Sequence, residues 1–118
     1  MKLLIIVLNK TECLERLLTS FGKNQIPGAT IIDSKGMAQE LNQFDDLEFR
    51  LSLRMLITPA HDENKTIFMV VPNVMVEKVS RIVNEVTGGL DKPDTGILFT
   101  VPIDHIEGLR EEELCSIH

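Results

Sequence analysis

Residues 66–86 read TIFMVVPNVMVEKVSRIVNEV, and this stretch joins a strand pattern directly to a helix pattern. Its first six residues are mostly apolar and β-branched, which is typical of a strand. Pro72 and Asn73 then open a helix. The apolar residues of that helix recur at intervals of three and four and form one face: Val79, Ile82, Val83 and Val86. The stretch therefore predicts a strand followed at once by a helix that packs by one face.

The N-terminal part of the chain has the same order. Residues 3–8 form an apolar run, which predicts a strand buried on both faces. Asn9 offers a cap for the helix that follows, with Glu12 as its capping-box partner. The apolar residues of this helix have the same spacing as those of the later one: Leu14, Leu17, Leu18 and Phe21. A second strand-helix unit is therefore predicted.

The remaining segments complete two matching halves. We expect Gly22 to end the first helix, and a Pro27-Gly28 turn to lead into a strand over residues 29–34. A closing strand is predicted over residues 97–101. The order βαββαβ is that of a ferredoxin-like α+β sandwich with both helices on one face of a single sheet. Because the strands are apolar runs rather than alternations, we expect a partner chain to cover the other face.

Composition narrows the functional classes. With 118 residues, the chain is predicted to form one domain over residues 1–118. A net charge of −6, with five Phe and no Trp or Tyr, argues against a nucleic-acid surface. The apolar run at residues 3–8 is too short for a membrane span and lacks the pattern of a signal peptide. We therefore expect a cytoplasmic protein.

Residue types with catalytic or metal-binding chemistry are scattered. Cys13 and Cys115 lack metal-ligand spacing, so we expect reduced thiols, with Cys13 in the core. His61, His105 and His118 are expected at the surface. The sequence has no paired nucleophile and base, and no P-loop motif. We therefore expect that the protein is not an enzyme and holds no metal.

Residues 37–64 form an insertion that a minimal ferredoxin-like fold does not need. The first part, 40–46, is polar and acidic, which predicts a loop. Apolar and polar residues then alternate over 47–55 as in a strand, although a short helix is also compatible with residues 53–57. A long insertion in a compact domain is more often functional than not.

The segment 87–96 reads TGGLDKPDTG and connects the second helix to the last strand. Glycines let backbone N–H groups approach an anion closely, and successive N–H groups form a nest for phosphate. A helix cap followed by a proline stop explains the same residues without a ligand. The predicted topology puts this segment at the same end of the sheet as residues 33–39. That position favours the phosphate nest.

Three stretches, 28–36, 67–72 and 87–99, together resemble the PII signal-transduction superfamily. The resemblance implies a homotrimer with three adenine-nucleotide sites, each in a cleft between neighbouring subunits. Residues 37–64 would correspond to the T-loop, which reaches out to target proteins. Residues 87–96 would correspond to the B-loop, which wraps the phosphates.

The resemblance also implies roles for individual residues. Thr30 and Val70 would lie near the adenine. The residues that would line the cleft at the T-loop root are Lys35, Gly36, Met37, Ala38 and Gln39. The residues that would offer backbone N–H groups to phosphate are Gly88, Gly89, Asp94, Thr95 and Gly96. Lys92 does not come from the resemblance; we add it as the cation nearest to that anion.

The chain departs from the classical PII pattern at both loops. The B-loop ending Gly-Asp-Gly-Lys is replaced by residues 93–96, PDTG, and residues 105–110 lack the paired arginines, with Arg110 as a loose substitute. Charge-assisted phosphate contacts are each worth roughly 1.5–3 kcal/mol, so their loss weakens triphosphate binding most. We therefore expect ADP or AMP to be favoured over ATP, with a cyclic nucleotide as a further option.

The T-loop counterpart departs as well. The chain has no tyrosine, so modification of a T-loop tyrosine is excluded. Residues 36–40, GMAQE, replace the classical Gly-Phe-Gly-Arg-Gln, and only Gln39 or Glu40 could stand in for the glutamine that helps hold Mg-ATP with 2-oxoglutarate. This chain therefore resembles a divergent member rather than an orthodox nitrogen sensor.

The resemblance implies a regulator that binds a small-molecule effector and signals to a protein. Ligand binding would order residues 37–64, and the ordered loop would engage or release a partner. The resemblance favours a membrane transporter or channel, which would recruit the chain to the membrane. Two alternatives stay open: a free-standing ACT-like small-molecule-binding module that regulates a metabolic enzyme, and a small enzyme or metal-handling protein with the same fold.

Overall fold

The computed structural model describes residues 1–26, 28–37, 40 and 63–109. Short 3-10 turns at Thr11–Cys13 and Asn73–Met75 lead into the helices that begin at Leu14 and Val76. The elements of the described chain are, in order, β1 Lys2–Leu8, α1 Leu14–Lys23, β2 Thr30–Ser34, β3 Asn64–Val71, α2 Val76–Thr87 and β4 Gly96–Pro102. The predicted order βαββαβ is confirmed, with strand bounds that differ from the predictions by one or two residues.

The four strands form one antiparallel sheet in the order β2-β3-β1-β4. This is the topology of the ferredoxin-like fold, because each half contributes one central and one edge strand. In the register, Leu8 lies opposite both Lys65 and Gly96, and Ser34 lies opposite Asn64. These residues mark one end of the sheet, which we call the loop end. The prediction that segments 33–39 and 87–96 meet the sheet at the same end is therefore confirmed.

The core lies between one face of the sheet and the two helices. The strands contribute alternate residues: Leu4, Ile6, Leu8, Ile67, Met69 and Val71. The helices contribute residues from both predicted stripes: Leu17, Phe21, Val79, Ile82 and Val83, with Leu14, Leu18 and Val86 packed at the margin. Cys13 is buried beside them, as predicted. Spacing along each helix therefore identified the packing face correctly.

The other sheet face is apolar and open in the described chain. Ile97 is 58% exposed, and Ile32, Phe99 and Val101 are each more than 40% exposed. The strand β1, predicted to be buried on both faces, alternates fully buried residues with half-buried ones. Coverage of this face by a second chain stays a prediction.

Two predicted caps are wrong. Asn9 does not cap α1 with its side chain; its backbone N–H donates to Thr95 O at 3.0 Å, and the helix begins through the 3-10 turn instead. Gly22 lies inside α1, which continues to Lys23, and the Asn24 side chain donates to Ser20 O at 2.7 Å. Both caps failed because other groups in the fold supplied the hydrogen bonds that end or position the helix.

Most of the predicted insertion lies outside the described residues, including the alternatives of strand and helix over 47–57. Its last residue, Asn64, belongs to β3. Pro27, Arg110, His61, His118 and Cys115 also lie outside the described residues. None of the described helices is long and apolar enough to cross a membrane.

Candidate functional site

The glycine-rich turn starts as the C-cap of α2. Gly88 has φ +90°, and its N–H donates to Asn84 O at 3.1 Å, so glycine serves there as a left-handed helix cap. The Asn84 side chain then accepts from Leu90 N–H at 2.8 Å, and Lys92 N–H donates to Gly89 O at 3.2 Å. Hydrogen bonds to Asn84 therefore hold the glycine-rich segment against the C-terminal end of α2.

Gly96 is required by the sheet for a reason separate from any ligand. It opens β4 opposite Leu8, with φ +151°. A Cβ atom placed on it would lie 2.5 Å from Val7 O, closer than real Cβ contacts allow. The absence of a side chain at Gly96 therefore permits the pairing of β1 with β4.

Lys10 bridges the two ends of the turn. Its backbone N–H donates to Thr95 O at 3.1 Å, and its ammonium Nζ donates to Thr87 O at 3.0 Å. Arg16 reinforces the same helix end, because its Nη2 donates to Val86 O at 2.8 Å. Both cations meet the carbonyl oxygens at the C-terminus of α2, where the helix dipole favours positive charge.

Neither Lys10 nor Arg16 is among the residues predicted from the sequence. A lysine just after a strand and an arginine on an exposed helix position have no local pattern that distinguishes them from solvated side chains. Each gains its role only through contact with carbonyl oxygens about seventy residues further along the chain.

A hollow of about 500 Å³ opens beside the turn, and we call it the turn hollow. It is lined by Lys10, Glu12, Thr87, Gly88, Lys92, Pro93, Asp94 and Thr95. Asp94 has φ +60°, a left-handed conformation that aspartate tolerates better than most residues. The structure therefore brings together the predicted residues Gly88, Lys92, Asp94 and Thr95, with Lys10 added.

Polar side chains at the end of β2 and the start of β3 are bonded to one another on the two sides of the insertion. Ser34 Oγ lies 2.8 Å from Thr66 Oγ1 and also donates to the side-chain oxygen of Asn64, which is buried. Next to this cluster Lys65 forms an ion pair with Asp33. The hydrogen bond to Asp33 raises the pKa of Lys65 above its ordinary value. These contacts join β2 to β3 where the chain enters and leaves residues 37–64.

The residues predicted to lie near adenine also fall together. Thr30 and Val70 line a second hollow, of about 380 Å³, on the open side of the sheet. Its other lining residues are Leu3, Gly28, Ala29, Phe68, Met69 and Leu109. Its lining combines apolar side chains with polar groups, as in many sites for small molecules.

The predicted root residues are only partly described. Lys35 and Met37 are exposed at the end of β2, and Gly36 O accepts from Glu40 N–H at 3.1 Å. Ala38 and Gln39 lie outside the described residues.

The predicted site residues that are described lie in three places within one chain: the root, the turn, and the hollow lined by Thr30 and Val70. The root follows β2 at one edge of the sheet, and the turn precedes β4 at the other edge. With strands about 4.8 Å apart, the ends of these two strands are about 14 Å apart. The turn hollow and the hollow lined by Thr30 and Val70 share no residue. One chain therefore does not gather the predicted residues into a single cleft.

Metal-binding chemistry finds no support in the part of the chain that is described. No group of three or more His, Cys, Asp or Glu residues there is arranged to hold a metal ion. His105 is exposed, as predicted, and its Nε2 lies 3.6 Å from Oε1 of Glu107. The site chemistry that can be described consists of hydrogen-bond donors, two lysines and two carboxylates around the turn hollow.

Comparison with known proteins gives one family. The family model described as Nitrogen regulatory protein P-II matches residues 1–113, which is nearly the whole chain. A search among curated proteins gives no match.

Proposed function

The chain belongs to the nitrogen regulatory protein P-II family, and on that premise we propose that it binds an adenine nucleotide in clefts between the subunits of a homotrimer. Members of this family are regulatory proteins, generally trimers, that interact with protein targets. The nucleotide would act as an effector, and residues 37–64 would carry the signal to the target as the T-loop.

The observation that carries this proposal is the arrangement at the loop end of the sheet. An insertion root and a folded glycine-rich turn lie there at opposite edges, about 14 Å apart within one chain. A site that uses both kinds of residue is completed most simply by a neighbouring copy of the chain, which places its own edge beside the first. A cleft between subunits is the result.

The open sheet face supports the trimer. It presents Ile32, Ile97, Phe99 and Val101 to solvent, each at least 43% exposed. A large patch of exposed apolar residues is more often an interaction surface than a part of the surface with no partner. Burial of this face against two neighbouring copies would remove the exposed surface and form the clefts at the same time.

The features of the glycine-rich turn favour a ligand with few phosphates. No lysine follows Gly96, where the classical B-loop has one; Ile97 occupies that position. The Gly88 N–H is already bonded within α2, so it is a poor donor to phosphate. ADP or AMP is therefore favoured over ATP, and a cyclic nucleotide, with one phosphate charge, fits the same reasoning.

The proposed target is a membrane transporter or channel. Binding to this target would recruit the chain to the membrane. The family match over residues 1–113 favours this function over a free-standing ACT-like module. It also favours a regulatory role over an enzyme with the same fold.

Calorimetry tests the nucleotide, and light scattering tests the trimer. The chain is titrated with ATP, ADP, AMP, cyclic AMP and cyclic di-AMP, with and without Mg²⁺ and with bicarbonate or 2-oxoglutarate as a second effector. We expect ADP or AMP to bind more tightly than ATP, to a particle of three times the chain mass. No heat with any nucleotide would overturn the sensor function, and a monomer would overturn the cleft between subunits.

A further inference from the structure

We propose that Lys10 is an anion-binding residue of the turn hollow and supplies the positive charge that the chain lacks after Gly96. This inference rests on the proposed nucleotide site and names the residue that contacts its phosphate. Lys10 lies before α1, outside the turn itself, and lines the turn hollow together with Gly88 and Lys92.

The ammonium of Lys10 is held in place before any ligand arrives. Its backbone N–H is bonded to Thr95 O, and its Nζ lies 3.0 Å from Thr87 O. A Cβ placed on Gly88 would lie 3.9 Å from the same Nζ, so the charge sits directly over the first glycine of the turn. An ammonium group has three N–H donors, and Thr87 O takes one of them. Two remain for an anion in the hollow.

The backbone of the turn offers few donors of its own. Four of its amides already donate to groups of the turn or of α2: Gly88 to Asn84 O, Gly89 to Thr87 Oγ1, Leu90 to the Asn84 side chain, and Lys92 to Gly89 O. A phosphate in this hollow must therefore be held to a greater extent by side-chain charge. Among the described residues, the cations that line the hollow are Lys10 and Lys92.

Lys10 is the stronger of the two candidates. Its side chain is half-buried and bonded, whereas Lys92 is exposed. A lysine that is already ordered loses less conformational entropy when it binds a ligand than one that moves freely. Lys10 should therefore contribute more to affinity than Lys92.

The same hollow limits the charge of its ligand. Glu12 and Asp94 line it beside the two lysines, so the formal side-chain charges cancel. A ligand with many phosphate charges meets two carboxylates as well as two ammonium groups. This balance favours a nucleoside mono- or diphosphate over a triphosphate, in agreement with the missing lysine after Gly96.

Calorimetric titration of the variant Lys10→Met with adenosine and ADP tests the proposal. Lys78→Met is the matched control, because Lys78 Nζ donates to Asn24 O at 2.8 Å and so makes the same kind of bond to a helix end, away from the turn. We expect Lys10→Met to weaken ADP binding about tenfold or more, as for a lost charge-assisted contact, and to leave adenosine binding unchanged. Lys78→Met should alter neither affinity.

A second measurement uses the unaltered protein and so does not depend on a variant that folds. Pyrophosphate is titrated while the NMR signals of the Gly89 amide and the Lys10 side chain are followed. We expect both to shift together with one binding constant, and to shift less as salt screens the charge.

The outcomes separate this inference from the proposed function. If ADP binds the parent protein and Lys10→Met equally well, Lys10 is not a phosphate ligand and the nucleotide function stands. If no nucleotide binds but pyrophosphate shifts Lys10 and Gly89, the anion site stands and the nucleotide function fails. If pyrophosphate moves neither signal and no nucleotide binds, both fail.

Discussion

The ammonium of Lys10 lies 3.0 Å from the carbonyl oxygen of Thr87, a residue 77 positions later in the chain. This hydrogen bond ties the start of the α1 region to the last residue of α2. With the bond from Lys10 N–H to Thr95 O, it fixes both ends of the glycine-rich turn to the first βα connection. The turn is therefore a rigid part of the domain rather than a free connector.

Arg16 should stabilise the C-terminal end of α2. Its Nη2 donates to Val86 O at 2.8 Å, near the negative end of the helix dipole. We expect Arg16→Met to lower the free energy of unfolding by about 0.5–1 kcal/mol, since the contact is exposed and screened. Urea unfolding measures the loss. Arg81→Met, on the exposed side of α2, is the control and should change stability by less; equal losses would assign the effect to charge alone.

Gly96 should tolerate no side chain. A Cβ there would lie 2.5 Å from Val7 O, and the backbone of β1 cannot move away without breaking its pairing with β4. We expect Gly96→Ala to cost at least about 2 kcal/mol of unfolding free energy.

The control for Gly96 is another glycine. Gly22 lies inside α1, and nothing lies within 4 Å of a Cβ placed on it. Gly22→Ala should stabilise the protein by roughly 0.5–1 kcal/mol, because alanine favours a helix interior. Thermal unfolding of the two variants should therefore shift in opposite directions, and a stable Gly96→Ala protein would contradict the clash.

Ser34 should hold the end of β2 to the start of β3, on the two sides of the insertion. Its hydroxyl joins Thr66 Oγ1, at 2.8 Å, to the side chain of buried Asn64. Removal of the hydroxyl in Ser34→Ala leaves the Asn64 side chain short of a partner, at a cost of about 1–3 kcal/mol. Hydrogen exchange should show faster exchange at the Lys65 and Thr66 amides.

Thr19→Ala provides the comparison for Ser34. The Thr19 hydroxyl donates to Glu15 O at 2.8 Å on the exposed surface of α1, so its loss is compensated by water. We expect Thr19→Ala to change stability by no more than about 0.5 kcal/mol. Equal effects of the two substitutions would mean that Ser34 is an ordinary surface hydroxyl.

The Asp33–Lys65 pair predicts a pH dependence at high pH. The hydrogen bond to Asp33, with smaller Coulombic contributions from Asp33 and Glu63, raises the pKa of Lys65 above 10.5. Because the folded-state pKa is the higher one, the stabilisation is complete below the unfolded pKa and is lost as the pH rises through the folded value. NMR titration should show a lower pKa of Lys65 in Asp33→Asn. An unchanged pKa would show that the pair does not persist in solution.

Asp94 should oppose an anion in the turn hollow. Asn keeps the left-handed backbone at φ +60° but removes the carboxylate. We expect Asp94→Asn to strengthen ADP binding about threefold, an effect of the size of one partly screened charge. Asp91→Asn makes the same change in net charge on a residue outside the hollow lining and should have less effect. Weaker binding by Asp94→Asn would instead make the carboxylate part of the site.

Much of the fold could be predicted because its signals are local. Strand runs and the spacing of Leu14, Leu17, Val79 and Val83 report which residues face the core, since helix and strand periodicity is a property of the chain itself. The order βαββαβ and the placement of the glycine-rich segment at the loop end followed directly. The same local reasoning failed at Asn9, whose N–H donates to Thr95 O from a distant part of the chain, and at Gly22, because the helix continues to Lys23 and Asn24 follows as its cap.

Local patterns of residues were enough to predict the order of elements, the apolar faces of both helices and the glycine-rich segment 87–96 between the second helix and the last strand. The groups that hold this segment in place became visible in the folded chain alone. Because β1 pairs with β4, position 96 has no room for a side chain. Lys10, two residues after the end of β1, lies close enough to α2 to bond to Thr87 O. Contacts between residues so far apart in the chain depend on how the strands pair in the sheet. A local pattern of residues does not predict that pairing.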